Sequence, residues 1–292
     1  MATRKISTRE KLDLARDAMQ ATIDVRFKLG AGLEEPICAY SACERLGVPV
    51  RFVDVSMEGI YSHKPLPRIL VSALRPLVRR HFNCAHEFGH FVFGHSSKLD
   101  ELKNTMEEYG DLPPEEFIVD SFAGHLLMPV LGIRRAFARR KIEAATALPH
   151  QIFAIASEFH VSFNALITQL AFCINEISKS RRTELMKSRQ SLQRSLVSTN
   201  EGRGLAYLDD QYAASTLDVE ENYLIVAPTG SVASDNDCIV KLGTSEYGNV
   251  FRVLKRGIVE LFVPNTSWHV SVRSTKENFI GLARYRYLED GE

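Results

Sequence analysis

Arg80-His81-Phe82-Asn83-Cys84-Ala85-His86-Glu87-Phe88-Gly89-His90 is the stretch on which the reading of this chain turns. Its apolar residues, continued by Phe91, Val92 and Phe93, describe a helix, expected over Leu74 to Gly94 with Pro76 in the first turn. On a helix, residues four apart lie on one face, so His86 and His90 can present two imidazoles to one metal ion. Glu87 sits beside them, where a glutamate serves as the acid/base of metal-assisted hydrolysis rather than as a ligand. The alternative is a chance coincidence of two histidines and a glutamate. Against it, three polar groups on so apolar a helix would be costly to bury without a shared partner, and a metal supplies one.

A hydrolytic zinc site takes three protein ligands and keeps a fourth position for water. The next helix, expected over Glu115 to Met128 and stopped by Pro129, offers Glu116 and Asp120 on one face of an apolar run. Glu116 is assigned as the third ligand, and Asp120 as the acceptor that fixes a ligand histidine's tautomer. Two alternatives stand beside this. Glu115 competes as the ligand, and both glutamates could simply favour a helix N-terminus electrostatically. His95 follows His90 by five, not at the six-residue spacing of metzincins, and is read as structural. His81 and His125 are read as packing or surface residues.

Around this core the pattern is mixed. Helices are expected over Thr8 to Leu29, Ile37 to Leu46, Leu148 to Glu158 and Ser162 to Ile177. Val48 to Val55 alternates like a strand, with Arg68 to Ser72 as its neighbour in a small sheet beside the site. A Ser-, Gln- and Arg-rich stretch over 179–204 reads as a basic polar linker, placing a boundary between a domain over 1–178 and a second over 205–292. Beyond it, Tyr223–Ala227, Cys238–Leu242, Val250–Leu254, Ile258–Val263, His269–Arg273 and Phe279–Tyr287 read as strands of a sandwich or partly open barrel. The fold class is therefore α+β.

Composition narrows the function classes. Hydrophobic residues make up 45% and charged residues 25%, as in ordinary globular proteins. Lysine plus arginine equals aspartate plus glutamate at 36 each, so no global charge draws the chain to nucleic acid or anionic membrane. With a polar start and no apolar run of bilayer length, the expectation is a cytosolic protein without a membrane partner. Five scattered cysteines without a CxxC pair argue for buried free thiols rather than disulfides or a cysteine metal site.

The motif at Arg80–His90, followed by Asp120-Ser121-Phe122-Ala123-Gly124-His125-Leu126-Leu127-Met128-Pro129, resembles the ImmA/IrrE family of bacterial metallopeptidases. The likeness runs from about Cys38 to Ile177 and includes Ala156 to Leu166, which is similar to the family's helix-turn-helix-shaped segment. The resemblance implies a gluzincin-like arrangement with His86, His90 and Glu116 as zinc ligands and Glu87 as the catalytic acid/base. It also implies cleavage of a transcriptional repressor of the helix-turn-helix type, derepressing mobile-element or stress-response genes. The sequence departs from the family at Phe117 and Ile118, where polar or acidic residues are common, which keeps Glu115 in contention.

The run from Glu221 to Tyr287 is similar to the LexA-like β-fold, which self-cleaves with a serine and a lysine. Those positions fall near Tyr212 and Phe251, neither a nucleophile nor a base, so this half is expected to bind or sense. A small GAF-like sensor domain fits the same strands. The rival to an enzyme is a catalytically silent metal-binding regulator that holds a protein partner. A DNA-binding version is disfavoured, because Phe163, Leu166, Ile167, Leu170 and Phe172 are too apolar to read base edges.

Overall fold

A computed structural model describes residues 6–96, 99–100, 112–197, 204–235 and 237–288. The architecture is α+β, and contacts divide the chain into two compact units. Unit 1 comprises Met1–Arg75, Arg79–Gly132 and Ile280–Arg284; unit 2 comprises Pro76–Val78, Ile133–Phe279 and Tyr285–Glu292. Among the described residues no single helix is long and apolar enough to cross a membrane.

Unit 1 opens with α1 (Thr8–Lys28), whose N-terminus is capped by the Ser7 hydroxyl accepting from the Glu10 amide. Helix α2 (Ala39–Arg45) leads into β1 (Val50–Val53), β2 (Gly59–Ser62) and β3 (Arg68–Ser72). Helix α3 (Leu77–Val92) carries the two histidines, β4 (Leu99–Asp100) follows, and α4 (Pro114–Leu127) carries Glu116 and Asp120. The sheet order is β13-β1-β3-β2-β4, with β1 parallel to β3 as Val50 pairs with Ile69, and β2 antiparallel to β3. The expected pairing of β1 with β3 is present; β2, between them in sequence, had no expectation.

Helix α4 is buried along almost its whole length, and α1 packs against it. Arg26 of α1, only 1% exposed, reaches the C-terminal end of α4, donating to the Leu126 carbonyl at 2.6 Å, and also to the carbonyls of Gly32 (2.6 Å) and Glu35 (3.0 Å). Its burial lowers its pKa to about 10, partly offset by Glu35, so it remains a cation at neutral pH. These bonds satisfy a helix-end carbonyl that would otherwise be stranded in the core. Phe117 and Ile118, where the chain departs from the family's polar pattern, are both buried.

In unit 2, α6 (Pro149–Glu158) and α7 (Phe163–Thr168) run into a π-helical turn at Gln169–Cys173. Helix α5 (Val130–Arg139) precedes them; its first residues group with unit 1 and the rest with unit 2. After α8 (Lys179–Leu196) come β5 (Gly204–Tyr207), β6 (Thr216–Glu220), β7 (Tyr223–Ala227), β8 (Val232–Ala233), β9 (Ile239–Ser245), β10 (Gly248–Val253), β11 (Gly257–Phe262) and β12 (His269–Thr275). They form two four-stranded sheets, β5-β7-β10-β9 and β6-β12-β11-β8, around a core that includes Tyr212, Ile225, Phe251, Val259 and Val272.

Three expectations need correction. The stretch 179–196 is not a linker but α8, with Leu185, Leu192 and Leu196 buried and Lys187, Arg189 and Arg194 exposed; residues 198–203 lie outside the described residues. The division of the chain by contacts comes near residue 132 rather than at 179–204. Buried ion pairs explain it: Arg140 bridges Glu158 at 2.9 Å and Asp209 at 2.6 Å, and the Ser157 hydroxyl accepts from the Tyr207 amide, tying α5 and α6 to the β region. Finally, Phe279–Tyr287 is not one strand of the C-terminal region. Gly281–Leu282 is β13, paired antiparallel with β1 in unit 1, and Ala283–Tyr285 is a 3-10 turn.

Candidate metal centre

Helix α3 holds His86, Glu87 and His90 on its buried side, at 9%, 2% and 3% exposure. Phe88 of the same helix packs edge-on against Phe122 of α4, and Gly89 lies against Val119. That close approach of α3 and α4 brings Glu116 to the histidines. The His86 Nε2 stands 3.4 Å and the His90 Nε2 3.9 Å from the Glu116 Oε2. One ligand-type atom from each of the three residues lies within 4.8 Å of the other two, and among the described residues this is the one such group of three or more histidine, cysteine or acidic side chains. Glu115, the competing ligand, is exposed and outside this group.

Each imidazole is oriented through its other nitrogen. His86 Nδ1 lies 2.7 Å from Asp120 Oδ1, a short charge-assisted contact in which the ring nitrogen donates to the carboxylate. His90 Nδ1 lies 2.9 Å from His95 Nδ1. His95, expected as merely structural, is thus in contact with the cluster. His81 is turned elsewhere: its Nε2 accepts from the Ala39 amide at the start of α2. His125 is buried on α4, where desolvation pushes its imidazole below the ordinary histidine range.

Glu87 is positioned by β2, an element absent from the sequence reading. Its Oε2 accepts from the Tyr61 amide at 2.6 Å, while its Oε1 and Cγ lie where a Cβ at position 59 would stand, 2.8 and 2.9 Å away. Glycine at 59 is therefore a condition for the carboxylate's place. The signal in the sequence was faint: a four-residue strand, Gly-Ile-Tyr-Ser, flanked by polar residues. The cysteines behave as expected of free thiols; Cys43 and Cys84 are buried 3.8 Å apart, and burial, then the Cys43 contact, pushes the Cys84 thiol up.

With this geometry in place, residues 43–170 match the sequence profile of the IrrE N-terminal-like domain, Peptidase_M78. Over this segment the chain is similar to that peptidase family. No curated protein matches the chain. The IrrE-like segment takes in β1 to β4 and α3 to α7, and so contains His86, Glu87, His90, His95, Glu116 and Asp120. Two imidazoles and a carboxylate converging from two helices are a donor set suited to a divalent metal, in keeping with a metallopeptidase.

Proposed function

We propose that this chain is a zinc-dependent endopeptidase with a gluzincin-like site, in which His86, His90 and Glu116 hold the ion, Asp120 orients His86 and Glu87 is the general acid/base. One observation carries the reading: three donor atoms converge from α3 and α4 to within 4.8 Å of one another. Zinc to nitrogen or oxygen bonds of about 2.0–2.1 Å at tetrahedral angles separate neighbouring ligands by roughly 3.3 Å. The 3.4 Å between His86 and Glu116 fits that value, and the 3.9 Å between His90 and Glu116 needs a small contraction. Two imidazoles with a carboxylate favour zinc over the harder cations.

Bound there, zinc supplies Lewis acidity that lowers the pKa of a water to about 7. Glu87, held by the Tyr61 amide, takes the proton of the attacking water and returns it to the leaving amine of the cleaved peptide. The Asp120 carboxylate accepts from His86 Nδ1, keeping that ring's Nε2 directed at Glu116.

The substrate proposed is a regulatory protein, a transcriptional repressor of the helix-turn-helix type whose removal derepresses stress-response or mobile-element genes. The β region of unit 2, with Tyr212 and Phe251 buried where a LexA-like fold would carry its serine and lysine, has the role of selecting the substrate or receiving a signal. In this reading the protein works in the cytoplasm, and DNA is not its partner: Phe163, Leu166, Ile167 and Leu170 of the helix-turn-helix-shaped segment are buried. The test is to incubate the zinc-loaded protein with the repressor encoded beside it, in parallel with Glu87→Gln. The substitution should leave zinc binding intact and slow cleavage by at least ~100-fold. Equal cleavage by both proteins would remove Glu87 from the mechanism, and a metal-loaded wild type that leaves the repressor whole would favour the silent regulator.

A further inference from the structure

We infer that His95 is a positioning residue for His90: its Nδ1 accepts the Nδ1–H of His90 and holds that imidazole in the tautomer whose Nε2 is available to the metal. The inference rests on the metal site proposed above and adds a residue to it.

The backbone brings His95 back onto the helix it has just left. Helix α3 ends at Val92, and Gly94 takes a left-handed conformation with φ +67°. The Gly94 amide donates to the Phe91 carbonyl at 3.2 Å and the His95 amide to the His90 carbonyl at 2.9 Å. This is the six-to-one return that follows a glycine at a helix C-terminus. A Cβ at Gly94 would meet nothing within 4 Å, so the glycine is there for its backbone and not for space. The return lays the His95 ring against His90, with centroids 5.1 Å apart, while Phe93 stacks on the His95 ring at 6.0 Å and 26°.

Chemistry then fixes who donates. A hydrogen bond between two Nδ1 atoms 2.9 Å apart contains one proton, so one ring donates and the other accepts. If His95 donated, His90 would carry its proton on Nε2, the atom that faces Glu116, and could not ligate through it. With His90 donating, its Nε2 offers a lone pair and His95 carries its own proton on Nε2. The site is then doubly anchored. His86 is held by a carboxylate from α4, and His90 by a neutral imidazole from the turn after α3. Orienting partners of this kind are worth about 10- to 100-fold in metal affinity.

The experiment compares the zinc affinity of the full chain, by competition with a chromophoric chelator, for wild type, His95→Phe and His95→Asn. Phenylalanine keeps an aromatic ring beside Phe93 but cannot accept; asparagine loses the ring but places a carbonyl oxygen near the position of Nδ1. We expect zinc binding weakened about 10- to 100-fold in His95→Phe and held within about threefold of wild type in His95→Asn. A packing role for His95 predicts the opposite order. His95→Phe binding as tightly as wild type, or His95→Asn binding more weakly than His95→Phe, overturns the inference. Should either variant fail to fold, nitrogen-15 NMR of the zinc-loaded wild type decides. His95 as the Nε2–H tautomer supports the proposal and the Nδ1–H tautomer overturns it. A wild type that takes up no zinc removes the metal site itself and this inference with it, whereas zinc-loaded wild type with an indifferent His95 removes the inference alone.

Discussion

Replacing Gly89 by alanine should weaken metal binding while leaving the protein folded. A Cβ on residue 89 would stand 2.9 Å from the Val119 Cβ, 3.1 Å from its Cγ1 and 3.2 Å from Phe122 Cδ1. Non-bonded carbons rest at about 3.5–4.0 Å, so α3 and α4 must part by roughly 0.6 Å or more at this point. Val119 cannot give way by rotation, because its Cβ moves only with the backbone and its branched side chain is confined to one rotamer in a helix. Two effects on stability oppose each other. Alanine gains about 1 kcal/mol of helix propensity over glycine, and overpacking costs about 1–3 kcal/mol, leaving a net loss of roughly 0–2 kcal/mol. The site is less forgiving. Glu116 lies one turn before Val119 on the same face of α4, and metal–ligand distances tolerate only about 0.2 Å. Zinc affinity should therefore fall at least ~10-fold, comparable to losing an orienting partner. Chelator competition measures the affinity, and a metal-free thermal melt shows whether the fold survives. Gly89→Ala with zinc affinity within about twofold of wild type would refute the reasoning that this contact sets the ligand geometry.

Gly59→Ala places a methyl group 2.8 Å from Glu87 Oε1 and forces the carboxylate off the Tyr61 amide; kcat should fall about 100-fold with zinc binding unchanged, and unaltered turnover would count against the role of β2. Arg26→Met strands the buried carbonyl of Leu126 and releases those of Gly32 and Glu35, which should lower stability by about 1–3 kcal/mol in urea unfolding; a loss below about 0.5 kcal/mol would show that these bonds are replaceable. His125 has its folded-state pKa depressed by burial, so the unfolded chain takes up the proton first. Its stabilising contribution is complete above about 6.5, the unfolded value, and is lost as the pH falls towards the lower folded value. Urea midpoints at pH 7.5 and 5.5 should drop more for wild type than for His125→Gln, and equal drops would refute the assignment.

What was legible in the sequence was whatever repeats with the period of one element. His86 and His90, four apart, and Glu116 and Asp120, four apart, had to share a face of their helices whatever the tertiary fold. Between Glu115 and Glu116 the period does not decide, since Glu115 is four residues before Val119; burial separates them, Glu116 being buried and Glu115 exposed in the first turn of α4. Residues set by longer-range geometry were missed. Strand β2 is too short to show alternation, yet it supplies the amide that holds Glu87. Pro129 was read only as the stop of α4, although a proline also suits the entry to a helix, and α5 begins at Val130. In α8, three buried leucines lie within a text of serine, glutamine and arginine, so composition outweighed periodicity. The two residues of β13 owe their strand to β1, more than 200 positions earlier, and no local pattern carries such a pairing.

The groups around the cluster divide into two sets that act on different steps. Asp120, His95 and Gly89 bear on the atoms proposed as ligands: the first two hold the Nδ1 sides of the imidazoles, and the third sets how near α4 brings Glu116. Gly59 and the Tyr61 amide bear on Glu87 alone, from the sheet. Glu87 is not a ligand in this scheme, so a disturbance from β2 leaves the ion in place and misdirects the proton transfer. A disturbance from α4 displaces the ion before any proton moves. A metalloenzyme whose base and ligands hung on one support would lose both together. Here α3 is held from two sides by separate elements, so in the proposed scheme the affinity for metal and the rate of the chemical step are separately adjustable properties of a single helix.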